Sequence, residues 1–230
     1  MKPILFNTEM VRAILDDRKN VTRRIIKPQP IANLIHFEKW GYVWSFWADG
    51  SYHQIEQPYR PGDIFYVRET WTTLIGEYIY KADQKPNMKN PGKWRPSIHM
   101  PREAARIFLE VTDVRAERLR NITADDALRE GVKPLSETPK GCRACGPGVP
   151  HYPECSYELC GNYKSFEYER AVLPFIEVWN GTIKPADRDR FGWDANPWVW
   201  VIEFERYLLP DVPKKSQNPN GGTRHDPDVV

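Results

Sequence analysis

The sequence lacks the features that would commit it to a membrane, to export or to bulk electrostatic binding. No apolar run approaches the ~18 residues a transmembrane helix needs. The opening stretch Met1-Lys2-Pro3-Ile4-Leu5-Phe6 has too short an apolar run for a signal peptide. An excess of one charge is also missing: 33 Lys and Arg stand against 31 Asp and Glu, a formal charge of +2. That balance argues against a protein built for bulk binding of duplex DNA and leaves room for a local basic groove. The expectation is a soluble, cytoplasmic protein. Common catalytic signatures are absent too. There is no HExxH, Walker A or GxSxG pattern, the five histidines form no metal-ligand spacing, and no glycine-rich phosphate loop or βαβ alternation occurs. No internal repeat is found, which removes the solenoid and propeller architectures.

What is abundant is proline, tryptophan and, in one place, cysteine. The 21 prolines are nearly twice the usual ~5% share. With few long periodic runs, they point to short strands and ordered turns, not a helical bundle. Nine tryptophans require a large core, an aromatic binding surface, or both. A chain of 230 residues suits one domain with embellishments or two small ones.

Asn7 to Asp17 reads as a helix capped by Asn7, with Met10, Val11, Ile14 and Leu15 as its apolar stripe. Val21 to Ile26 is a short strand; Thr22 and Arg24 share one face, Val21, Arg23 and Ile25 the other. Residues 37–60 carry Trp40, Trp44 and Trp47 around the hairpin-turn pair Asp49-Gly50, and form an inserted hairpin or meander. Arg60-Pro61-Gly62-Asp63 is a turn before a strand over Ile64 to Trp71, and Glu77 to Ala82 is another strand. Residues 84–96 form a polar loop, and Ala105 to Leu119 a long or bent strand. Thr123-Ala124-Asp125-Asp126 is a capping box opening a short helix that stops at Gly131. Tyr168 to Asn180 is a helix with Val172, Phe175, Ile176 and Trp179 inward, and Pro174 kinks it or marks its start. Trp198 to Glu205 is the closing strand, on which Trp198 and Trp200 face one side and pack the barrel or the terminal helix. The tail, 209–230, is expected to be disordered. Short strands separated by a few helices indicate an α+β fold, a small mixed β-barrel with flanking helices, over residues 1–208.

The cysteines follow Cys142-x2-Cys145-x9-Cys155-x4-Cys160, inside a Pro- and Gly-rich insertion at about 133–165. Two short-spaced pairs supply the four thiolates of a tetrahedral zinc site, and Gly146 and Gly161 permit the tight turns. Two disulfides or free thiols are the alternatives, and His151 is a candidate replacement ligand. With nothing to indicate export, disulfides are disfavoured. A complete set of four ligands leaves no open position, so the expected zinc is structural, and no catalytic cofactor is expected.

Ile14 to Arg24 gathers Arg18, Lys19, Arg23, Arg24 and the Thr22 hydroxyl at a helix-to-strand turn. By itself this is explained by cations complementing the negative end of a helix. The segment also resembles the signature of the ASCH family, a PUA-like β-barrel superfamily: a helix, then G-x-K, then an Arg five residues after the Lys. Lys19 and Arg24 match it, and Asp17 stands where the family usually has Gly. Pro61-Gly62-Asp63 before a strand, the Glu110 to Thr112 strand, the Thr123 to Gly131 helix and the closing Glu203-Phe204 agree in order. Arg68-Glu69-Thr70-Trp71 and Ser97-Ile98-His99-Met100-Pro101 look like the longer ASCH proteins common in phage and prophage genomes. The resemblance implies RNA binding, or, as in small bacterial members, amidohydrolysis of N4-acetylcytidine and related N4-acylated cytosines. It carries the family's Lys, Thr and Glu catalytic set onto Lys19, Thr22 and Glu130.

Those residue types suit the chemistry. Amide hydrolysis needs a nucleophile, a proton acceptor and a partner for the oxyanion. Thr22 is the candidate nucleophile. Lys19, with Arg18, Arg23 and Arg24 nearby, is expected to have a lowered pKa and act as base. Glu130 is placed to protonate the leaving amine or position a water. Arg24 is a candidate for the oxyanion or the pyrimidine carbonyl, Arg68 for that carbonyl, and Tyr66 or Trp71 for stacking on the base. The competing reading is a binding module for single-stranded RNA or a modified nucleotide. Residues 93–120 carry seven Lys or Arg against four Asp or Glu, and residues 12–27 six against two. Solvated strand faces would explain the same charges.

Overall fold

The computed structural model describes residues 1–30, 38–40, 43–48, 51–85, 87–88, 91–135 and 163–208. Strand β1 (Lys2–Leu5) leads into helix α1 (Thr8–Leu15), where the Asn7 side chain accepts the Met10 N–H at 2.8 Å. Val11 and Ile14 of the stripe are buried, with Met10 and Leu15 packed beside them. Strand β2 (Val21–Ile25) follows. Strands β3 (Glu38–Trp40), β4 (Val43–Ala48) and β5 (Ser51–Glu56) form an antiparallel sheet in which Ala48 stands opposite Ser51, the two-residue connection that Asp49-Gly50 predicts. Then come β6 (Ile64–Arg68), the β7 (Trp71–Leu74) and β8 (Glu77–Tyr80) hairpin, and the long β9 (Phe108–Arg118). Helices α2 (Ala124–Arg129), α3 (Tyr163–Thr182) and α4 (Arg188–Phe191) precede the closing strand β10 (Trp198–Arg206).

The main sheet has the order β1-β6-β9-β10-β2, with β1 parallel to β6 and the other pairs antiparallel. The fold is α+β. The expected barrel is not closed: among the described residues no ladder joins the two edge strands, β1 and β2. The chain leaves β1 at Phe6 and immediately begins α1, whose apolar face packs into the same core, so β1 presents no further backbone to β2. The Arg24 side chain crosses the gap, donating to the Leu5 carbonyl at 3.0 Å.

Helices cover both faces. On one, Ile4, Phe6, Phe65, Leu109, Ile202 and Phe204 pack with α1. On the other, Val21, Val199 and Val201 pack with Val172, Phe175 and Trp179 of α3. Trp200 is buried in the first core and Trp198 packs at its edge, as expected. No helix among the described residues is long and apolar enough to cross a membrane.

Four local expectations shift. Strand β1 was not foreseen; it is an edge strand, where Pro3 removes no needed donor. The strand expected over 64–71 divides at Glu69. That carboxylate is buried against Arg106, at 2.9 and 3.2 Å, and its N–H donates to Met100 Sδ, so the chain leaves the sheet. Residues Arg102–Ala104 form a 3-10 turn, so β9 starts later than Ala105. Helix α3 runs on through Pro174. A proline there cannot donate to the Arg170 carbonyl, and the Leu135 N–H takes that acceptor instead at 3.1 Å.

Candidate active site

The turn after α1 is built by backbone geometry. Asp17 adopts the left-handed region, φ 56°, which lets the Arg18 and Lys19 N–H groups both return to the Ala13 carbonyl, at 2.8 and 3.0 Å. Helix α2 begins with a complete capping box between Thr123 and Asp126 and ends at Glu130. Its end meets the turn through an isolated antiparallel bridge, Lys19 to Glu130, and the Asn20 N–H donates to the Arg129 carbonyl at 3.0 Å. Gly131 makes the approach possible. It has φ +89°, and a Cβ there would lie 2.6 Å from Ala13 Cβ and 2.9 Å from Lys19 Cβ.

Lys19 and Glu130, 111 positions apart, form a buried pair at 2.6 Å. Lys19 Nζ also donates to the Val21 carbonyl at 2.6 Å and the Glu130 carbonyl at 2.9 Å. Three acceptors match the three donors of an ammonium. Burial pushes the Lys19 pKa down, the Glu130 carboxylate opposes that, and Arg24 and Arg23 lower it a little further. The expected direction holds, but its main cause is desolvation, with the neighbouring arginines secondary.

Thr22 and Arg24 lie on the β2 face opposite Ile202 and Trp200, both in the core that holds Phe6. Thr22 is buried directly after Val21, whose carbonyl takes the Lys19 ammonium. Lys19 Nζ and the Arg24 guanidinium lie 5.5 and 5.4 Å from the centroid of the same Phe6 ring. Arg24 is partly exposed and closes the side between β1 and β2, while Lys19, Thr22 and Glu130 are buried. Desolvation lowers the Arg24 pKa, opposed by Glu130 and Tyr59. The structure therefore brings Lys19 and Arg24 together at Phe6 and Glu130 onto Lys19, with Thr22 between the two cations in sequence and on the Arg24 face.

Arg23 is the residue that sequence reasoning missed. Its side chain is wholly buried, 2.8 Å from Glu117, 3.4 Å from Asp126 and 3.3 Å from Glu130. Glu130 is thus held by Lys19 on Oε2 and by Arg23 on Oε1. Arg115 pairs with Glu203, and Arg129 reaches the same carboxylate at 2.6 Å, which ties β9, β10 and α2 together. The signal was a cation on the strand face otherwise occupied by Val21 and Ile25, where a charge requires a buried partner.

Tyr66, Arg68 and Trp71 are not brought to this site. Phe65 and Val67 point into the core with Phe6, so alternation along β6 turns Tyr66 and Arg68 to the opposite face. Arg68 donates to the Ile98 carbonyl at 3.3 Å, and Trp71 packs with Met100 and Ala104 in a separate cluster. Their expected contact with the substrate carbonyl and base has no geometric support next to Lys19. Cys142, Cys145, Cys155 and Cys160 lie outside the described residues, as does His151. Among the described residues no cluster of His, Cys, Asp and Glu forms a metal site. Comparison of the chain with protein-family models, with curated proteins and with solved structures finds no match in any of the three.

Proposed function

We propose that the chain is an ASCH-type, PUA-like amidohydrolase that removes the acyl group from N4-acylated cytosine nucleosides. The observation that carries this reading is the buried Lys19–Glu130 pair at 2.6 Å, set beside the Thr22 strand face. A buried ion pair can neutralise itself by passing one proton from the ammonium to the carboxylate, which leaves an amine base and a carboxylic acid. The Lys19 amine then takes the Thr22 hydroxyl proton as Oγ attacks the acyl carbonyl. The tetrahedral oxyanion faces Arg24. Glu130 delivers its proton to the exocyclic nitrogen, the C–N bond breaks, and cytidine leaves an acyl ester on Thr22. Water, deprotonated at the same pair, hydrolyses that ester to the free acid and restores Thr22. The side between β1 and β2, which the partly exposed Arg24 closes, is the route by which we propose the substrate reaches the pair.

The test is incubation with N4-acetylcytidine, followed by chromatography for cytidine. Thr22→Ala and Lys19→Ala are expected to abolish release. Unchanged hydrolysis in both variants sinks the mechanism. We assign a structural zinc to Cys142, Cys145, Cys155 and Cys160 on the chemistry of the donor set. Four thiolates in two short-spaced pairs satisfy a tetrahedral ion and leave it no part in the hydrolysis.

A further inference from the structure

Arg23, Arg106, Arg115 and Arg129 each end on a carboxylate. Arg68, Arg95 and Arg102 do not, and no Asp or Glu among the described residues pairs with them. Instead their guanidinium groups lie on two aromatic rings. Arg68 and Arg102 are 5.6 and 5.9 Å from the Tyr66 centroid, and Arg95 is 4.9 Å from that of Trp71. Among the described residues, the terminal nitrogens of Arg68 reach the Ile98 carbonyl and the Tyr66 hydroxyl alone, at 3.3 and 3.4 Å.

Two donors on this stretch of chain have no acceptor among the described residues. Arg68 Nε is buried without a partner, and so is Nε1 of Trp71, a residue only 4% exposed. One segment overlies both. Arg95 exchanges backbone hydrogen bonds with Trp71 at 2.8 and 3.2 Å, the Ile98 carbonyl receives Arg68, and Met100 packs on Trp71. Buried donors left unsatisfied are costly and rare, and a ligand that supplies the acceptor is one reason a fold retains them.

We propose that the outer face of β6, with its turn into β7, is a binding site for a phosphoryl group. Arg68, Arg95 and Arg102 are its cations, and Arg68 Nε and Trp71 Nε1 are its buried donors. Three guanidiniums exceed what a single carboxylate can engage. They suit an anion with several oxygens, which the planar fork binds in pairs. Stacking on Tyr66 and Trp71 holds the forks in place. The site faces away from Lys19 and stands independently of the hydrolase reading. The phosphoryl group comes either from a mononucleotide or from the phosphodiesters of a single-stranded RNA.

The probes are cytidine 5′-monophosphate, a labelled oligocytidylate RNA, and inorganic phosphate, each titrated into the full chain with tryptophan fluorescence and anisotropy as readouts. Arg95 and Arg102 are exposed, so the double variant R95A/R102A keeps the fold, which circular dichroism checks. It is expected to weaken binding at least about tenfold and to flatten the salt dependence. Trp71→Phe keeps an aromatic face, deletes the Nε1 donor and weakens binding by a smaller factor. Arg60→Ala, at an exposed arginine elsewhere, is expected to leave binding unchanged. Tight monophosphate binding that RNA does not better identifies the mononucleotide source. RNA binding that the monophosphate cannot displace identifies the phosphodiester source. Equal affinity in R95A/R102A and the native chain overturns the site. So does equal loss in Arg60→Ala, or no binding by any probe.

Discussion

Glu130→Gln removes one charge and almost no volume, which makes it the sharpest perturbation of the proposed site. In the native chain the Lys19 ammonium has three acceptors, and only Glu130 Oε2 carries a formal charge. Glutamine keeps an oxygen within reach, so a hydrogen bond survives while the counter-charge is lost. Arg23 retains Glu117 and Asp126. Removing one partner of a buried pair costs about 3–5 kcal/mol, and the surviving acceptor places this variant near 3 kcal/mol.

The pH dependence carries a definite sign. An unfolded lysine titrates near ~10.4, and burial holds the folded Lys19 below its ordinary value. Between those two pKa values the unfolded chain binds one more proton, so stability rises with pH by about 1.4 kcal/mol per unit. Glu130 is the largest influence opposing the shift, so its removal drops the folded pKa further and extends the rise to lower pH. The deficit of the variant is therefore largest below the variant's own Lys19 pKa, where the unpaired ammonium stays buried. It shrinks as pH climbs from the variant's Lys19 pKa toward the native one. Urea denaturation followed by tryptophan fluorescence at several pH values measures both effects. A variant within ~0.5 kcal/mol of the native protein at neutral pH, with the same pH slope, would refute the buried-pair argument. Lys19→Met combined with Glu130→Gln is expected to recover much of the loss, because no unpaired charge then remains.

Gly131→Ala is expected to cost about 2–4 kcal/mol in thermal or denaturant unfolding. It combines a positive φ with contacts of 2.6 and 2.9 Å to Ala13 and Lys19; an unchanged transition midpoint would remove the claim that this glycine sets the Lys19–Glu130 approach. Asp17→Gly should stabilise the chain by about 0.5 kcal/mol, since it relieves a left-handed residue and gives up only a loose exposed pair with Arg206 at 3.7 Å; loss of stability would show that the Asp17 side chain matters more than its backbone. Elemental analysis is expected to find one zinc per chain, lost when Cys142 and Cys145 are both changed to Ser, and a metal-free native chain would exclude the assignment.

What could be read from the chain alone follows how local each determinant is. The Asn7 cap, the α1 stripe and the Thr123–Asp126 box are settled within one or two helical turns, and each formed as its residues indicate. The alternation that places Thr22 with Arg24 also held, because Thr22 and Arg24 stand opposite Ile202 and Trp200 of one core. The Lys19–Glu130 meeting is different in kind. It depends on a bridge across 111 positions and on a glycine whose missing Cβ makes room for Lys19. Nothing in either segment predicts that, and only the resemblance named both residues. Arg23 was legible in part: the Val21, Arg23, Ile25 face announces a buried cation, but its partners come from β9 and α2. Tyr66 and Arg68 show the limit most plainly. Alternation with Phe65 and Val67 assigns them to the opposite face from sequence alone, yet which face of β6 meets Lys19 depends on where β1 turns into α1. Without β1 to fix that turn, the sequence does not separate the basic and aromatic residues of the two faces. The fold separates them, leaving the buried Lys19–Glu130 pair on one side and, among the described residues, guanidiniums without a carboxylate partner on the other.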